Sequence, residues 1–195
     1  MPDRVGSFKN LMTTPSFYKN YFQVVAAIDS CLEKKQQLPA LILIYTLIDS
    51  FAWIVYGQDE KSVRKRFENW CNRWILENSN LQVAATDLYA ARCAILHTLT
   101  SDADLISSGR ARRVVYAWGT ADAAHLQEAL QQSGMPDLVA LHINEFAQLV
   151  REGIAKVMDA CADDESLSTR LSAVAERHFA SVASHASQPL DGLPN

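Results

Sequence analysis

The feature that most constrains this chain is the run LPALILIYTLIDSFAWIVYG, in which Thr46, Asp49 and Ser50 are the polar residues between Leu38 and Tyr56. A helix apolar around its whole circumference has to be covered by other helices or by lipid. The run is long enough to raise the membrane option. A carboxylate near its middle, two hydroxyl side chains and amphipathic neighbours argue instead for the buried central helix of a bundle. Leu38-Pro39 opens this helix, with proline in the first turn, and Gly57 closes it.

The segments before and after it supply the cover. Thr14-Pro15 starts a first helix in which Phe17, Tyr21, Val24, Ile28 and Cys31, flanked by Val25 and Leu32, repeat at helical spacing as far as about Lys35. A third helix is expected from Glu60 to Glu77, with Val63, Phe67, Trp70 and Trp74 as its buried stripe. Lys61, Arg64, Lys65, Arg66 and Arg73 form its solvated face. Thr86-Asp87 caps a fourth helix that reaches His97 or Leu99.

The texture then changes. Residues 100–112, TSDADLISSGRAR, read as a loop, and Val114–Trp118 and Leu138–Ile143 read as short strands around a helix, Ala121–Gln132, that stops at Gly134. A single helical crossover favours a parallel pair. Asn144 caps a helix to about Ala162, and a last helix, Glu165–Ser184, puts Leu167, Leu171, Val174, His178 and Val182 on one face. The expected fold is mainly α, an antiparallel helical bundle with a small two-stranded β insert around 113–143. Residues 1–14 form a flexible leader and 15–100 the bundle. Residues 101–184 are the insert plus C-terminal helices packed on the same domain, and 185–195 a flexible tail.

Composition narrows the function. Few glycines (7) and prolines (6) exclude a collagen-like or Pro/Gly-rich disordered chain. A net charge of −4 excludes a protein that coats nucleic acid, so any such role needs a local basic patch. The four cysteines form no Cys-x-x-Cys, and none has histidines at zinc spacing, so no metal or other cofactor is expected. Cys31 and Cys93 sit among apolar residues and read as small hydrophobes. Reduced thiols and an N-terminus without an apolar signal core point to a cytoplasmic protein with no membrane role. His125, His142, His178 and His185 make no pattern.

One constellation carries chemistry. In the fourth helix, DLYAARCAILHTLT, Arg92 shares a stripe with Leu88, Ile95, Leu96 and Leu99. A cation there must be paired or open onto a cleft. Asp49 is the single charge on the central helix, so a salt bridge between Asp49 and Arg92 is expected. His97 follows Arg92 by five residues, about 140° around an ideal helix. For the two to meet, the helix must end or distort at His97, or a second copy must complete the site. Ala90, Cys93 and Ala94 lie on the His97 side, where small residues suit close helix packing or a dimer face.

This Arg-x4-His, late in a helix that follows an all-apolar helix carrying an acid, resembles the motif of the HEPN superfamily over residues 15–100. The resemblance implies a compact helical homodimer with RNA as partner. Many members are metal-independent ribonucleases, often toxins or phage-defence effectors, and a toxin implies a protein antitoxin. Carried onto this chain, Arg92 and His97 are the catalytic pair, with Asp49 and Cys93 in support. His97 serves as general acid or base and Arg92 stabilises charge on phosphate oxygens. The chain departs from the family pattern in having Cys93 where a polar residue often follows the arginine. It also has Leu99 where members regulated by nucleotidylation carry tyrosine. Arg110, Arg112 and Arg113 are candidate RNA-binding residues at the mouth of a groove, or else a solvated strand edge. The plainer alternatives are a non-catalytic RNA-binding or dimerisation module of the same fold, and a helical adaptor in which His97 decorates a helix end and Arg92–Asp49 is a structural pair.

Overall fold

The computed structural model describes residues 15–57 and 59–175. Thr14, the side chains of Phe17 and Val174, the expected leader and tail, His178 and Val182 lie outside the described residues. The chain is mainly helical, with one small parallel sheet. Helix α1 (Pro15–Glu33) leads through a short turn to α2 (Gln37–Tyr56). Helix α3 (Val63–Trp70) runs on as a π-helical segment, Cys71–Leu76. Then come α4 (Ala85–Thr98), a one-turn α5 (Asp104–Ser107), β1 (Arg113–Ala117), α6 (Ala123–Gln132), β2 (Leu138–His142), α7 (Ile143–Asp163) and α8 (Glu165–Ala175).

Helix α2 is the hub, packing against α1, α3, α4, α7 and α8. Its inward residues, among them Ile44, Tyr45, Ile48 and Phe51, are buried. By length and composition it is the one helix among the described residues able to span a membrane, and 56% of its most apolar window is buried inside the protein. It is not covered on every side: Leu38, Thr46, Ser50 and Trp53 are exposed. The core is continuous from Ile28 to Leu171 and takes in Val114, Val139 and Leu141 of the strands.

The third helix departs from the expected stripe. Val63 is exposed, Trp74 is half-buried, and the buried positions are Phe67, Trp70, Cys71 and Ile75. The π-helical segment moves the inward face round by about one residue. It also brings the Trp74 carbonyl against α7 at Gly153, where an added Cβ would lie 3.0 Å from that oxygen and 3.1 Å from the Trp70 ring. Correspondingly, Cys71 and Cys161 are the buried thiols, whereas Cys31 and Cys93 are half-buried; all four are free.

The strands pair in parallel as expected, in the register Arg113↔Leu138 to Ala117↔His142. The Ala140 N–H donates 2.8 Å to the Gln127 side chain of α6, so part of the β2 edge is satisfied by the crossover helix. Tyr45 of α2 and Tyr116 of β1 share a hydrogen bond of 2.5 Å between their hydroxyls, which ties the sheet to the bundle. Burial pushes both phenols above the ordinary tyrosine range. Two caps differ from expectation. β2 runs straight into α7, so the cap is His142, whose Nδ1 accepts the Asn144 N–H, and not Asn144 itself. Within 100–112, the buried Leu105 and the Asp102 carboxylate, accepting from Ala103 N–H and the Ser107 hydroxyl, hold α5 in place of a featureless loop.

Candidate functional site

Helix α4 carries the candidate site, and its two ends are fixed differently. At the start, the N-cap position is Ala84, and Asp87 stands in the first turn of a helix that begins at Ala85. Its carboxylate accepts the Ala84 N–H at 3.0 Å. It also accepts three bonds from Arg112: the backbone N–H at 2.7 Å, Nε at 3.0 Å and Nη2 at 2.7 Å. The Arg112 Nη2 donates further to the Gln82 carbonyl at 2.7 Å. Asp87 is the one buried charged residue among the described residues. An acid this deep is tolerated because every oxygen is occupied by strong donors.

At the far end, Leu99 takes a left-handed conformation, φ 54° and ψ 30°, and its N–H returns to the Ala94 and Ile95 carbonyls. The Thr98 hydroxyl and the Thr100 N–H bond to the Ala94 carbonyl as well. A non-glycine residue there costs about 1–2 kcal/mol. The helix therefore ends one residue beyond His97.

Between these ends, the expected salt bridge is present. Arg92 Nε and Nη2 both donate to Asp49 Oδ2, at 2.8 and 2.7 Å. The side chains are 14% and 23% exposed, so the pair lies at the edge of the core and not within it. Partial burial works against the Arg92 charge, but the hydrogen bonds and charge of Asp49 outweigh it and hold the guanidinium above its ordinary range. Nη1, pointing outward, lies 3.1 Å from His97 Nε2 and 4.0 Å from Cys93 Sγ. The long arginine thus closes the angular gap to His97 within one chain. Because a guanidinium only donates, this contact makes Nε2 an acceptor and puts the ring proton on Nδ1. His97 is exposed, in the last turn of the helix.

Other expected residues are placed apart. Arg112 is committed to Asp87. Arg113 donates to the Ser101 carbonyl at 3.2 Å and approaches Asp102 at 3.7 Å. Arg110 bonds to the Ser108 hydroxyl at 2.9 Å. Of the three arginines, Arg112 is thus the one engaged by a buried acid. Ala90 and Ala94 are buried within the chain's own fold, so that small-residue face is already covered. The residue sequence reasoning missed is Asp87 as an anchor for Arg112. Its signal was an acid in the first turn of α4 with an arginine 25 positions on, a separation that no local pattern reads. Among the described residues, no group of three or more His, Cys, Asp or Glu is placed to hold a metal ion. No protein-family model, no curated protein and no solved structure matches this chain.

Proposed function

We propose that this chain is a metal-independent endoribonuclease of HEPN type, acting as a homodimer in the reducing cytoplasm, as a toxin or phage-defence effector. The observation that carries the reading is the Asp49–Arg92–His97 relay on α2 and α4, with the neutral Nε2 of His97 next to a fixed guanidinium. In RNA cleavage a 2′-hydroxyl attacks the adjacent phosphorus and the 5′-oxygen leaves. As substrate enters, Arg92 Nη1 turns from His97 Nε2 to the phosphate, and the freed Nε2 lone pair takes the 2′-hydroxyl proton. The outward N–H groups of Arg92 stabilise the non-bridging oxygens as charge builds on them. Asp49 cancels the arginine charge, so a proton gained by His97 does not create two unscreened neighbouring cations. A second copy supplies a second imidazole to protonate the leaving oxygen.

The test is cleavage of mixed cellular RNA in chelator by purified wild type and His97→Ala. Wild type is expected to leave 2′,3′-cyclic phosphate ends, and the variant to be slower by about 10²–10⁴-fold. Equal cleavage by both proteins, or none by either, overturns the reading. The alternative, a non-catalytic RNA-binding or dimerisation module, draws on one observation: Asp49 already engages two of the three Arg92 nitrogens. RNA retention without cleavage would favour it.

A further inference from the structure

A second cleft lies far from the Arg92–His97 pair, where the C-terminal ends of the parallel strands meet the turn between α1 and α2. Its volume is about 730 Å³, and its lining includes Glu33, Lys35, Trp118, Gly119, Thr120 and Asn144. Helix α2 alone separates Gln37, at the cleft, from Asp49 by twelve residues, about 18 Å along its axis. Loops that follow parallel strands converge at this edge of a sheet, which is where open α/β units take ligands. The volume falls in the range of small-molecule sites.

The cleft is built, not incidental. The ring of His142 bridges its two loops, Nδ1 accepting from Asn144 N–H at 3.2 Å and Nε2 lying 3.3 Å from the Gly119 carbonyl. A carbonyl only accepts, so Nε2 carries the proton and the ring is a neutral strut. Gly119 has φ +67° and nothing within 4 Å of where a Cβ would stand, leaving its backbone open to close approach. Trp118 is 49% exposed, so about half of a large apolar side chain is open to solvent. Lys35 sits at φ 58°, the helix-ending position that glycine fills best, and its ammonium makes no ion pair among the described residues.

We propose that this cleft binds a nucleoside monophosphate. The base stacks on Trp118, the ribose hydroxyls donate to Glu33, and the phosphate is held by Lys35 and the Thr120 hydroxyl. An aromatic face, an acid and a base at one opening match the three parts of that ligand: a flat ring, a diol and an anion. The inference does not depend on the ribonuclease reading.

Calorimetric titration of the full chain with AMP, GMP, CMP and UMP, with the matching nucleosides and with inorganic phosphate, tests it. At least one nucleotide should bind, its nucleoside and phosphate alone each more weakly by about tenfold or more. Trp118→Ala should weaken binding by roughly tenfold, the size of one base–aromatic stack. Lys35→Gly should weaken it too, while the melting temperature holds or rises because the turn is relieved. That variant separates lost binding from lost folding. His97→Ala should bind as wild type does. No binding of any nucleotide at millimolar concentration, binding unchanged in both cleft variants, or binding abolished by His97→Ala would each overturn the proposal.

Discussion

Helix α4 is held by two arginine–aspartate pairs that are chemically alike and placed for different ends. Arg112 spends Nε, Nη2 and its backbone N–H on Asp87 and Gln82, and Asp87 is 3% exposed. Arg92 spends Nε and Nη2 on Asp49 and turns Nη1 to solvent and His97. In the inner pair it is the acid that is buried, taking four hydrogen bonds, while the Arg112 side chain is 36% exposed. The outer pair keeps one edge for something else. A charge pair built around a buried acid is a fastening, and one whose remaining guanidinium nitrogen meets a titratable side chain is a candidate reaction centre.

The sharpest way to break this contrast is to compare the two ends of α4 by activity and by stability. Arg92→Ala and His97→Ala should each reduce RNA cleavage by about 10²-fold or more while leaving the fold intact. Arg112→Ala should affect cleavage only as far as it unfolds the protein. Circular dichroism melts alongside cleavage assays check this, and a stable Arg112→Ala protein without activity would merge the two roles. Asp87→Ala should be the most destabilising of the charge changes, by about 3–5 kcal/mol, because it strands Arg112 and uncaps Ala84 N–H together. Asp49→Ala, at the pair on the edge of the core, should cost less, about 1–3 kcal/mol in a urea titration. Equal losses would mean the inner pair is not the stronger fastening.

Gly153→Ala probes the contact of α7 with the π-helical segment. A methyl group would press on a backbone carbonyl and a buried indole ring, and the variant should lose about 1–3 kcal/mol despite alanine's better helix propensity. Tyr116→Phe strands the buried Tyr45 hydroxyl and should cost about 1–2 kcal/mol. The raised phenol pKa values of the folded state make this region's contribution complete below tyrosine's unfolded value near 10 and lost as pH climbs above it. Wild type should therefore lose stability above about pH 10 more steeply than Tyr116→Phe, a difference that melts at pH 8 and 10.5 would register. The smallest effect is a gain: Leu99→Gly relieves the left-handed residue and should add up to about 1 kcal/mol.

What the sequence disclosed followed from physics that acts locally or through strong necessity. The all-apolar run required a central helix. The single acid on it and the single cation on an apolar stripe of α4 required each other, and they are 2.7 Å apart. The two β-branched segments around one helix required a parallel pair. What stayed hidden depends on long-range packing. The π-helical segment that exchanges Val63 for Cys71 and Ile75 answers to Gly153, on another helix some eighty residues away. The Asp87–Arg112 anchor looked like a helix cap and a basic cluster, because either residue alone fits those patterns. The Trp118 cleft arises from loops and a turn that meet only in the folded chain.

The hub position of α2 also has a consequence for synthesis. Its cover includes α7, which begins at Ile143, so α2 leaves the ribosome well before that partner exists. At translation speeds of about 5–20 residues per second, the interval is roughly 4–17 s. Throughout it, a helix that satisfies the length and hydropathy of a membrane span stands without part of its protein cover. Until α7 emerges, α2 can be covered only by the elements synthesised around it, among them α1, α3 and α4.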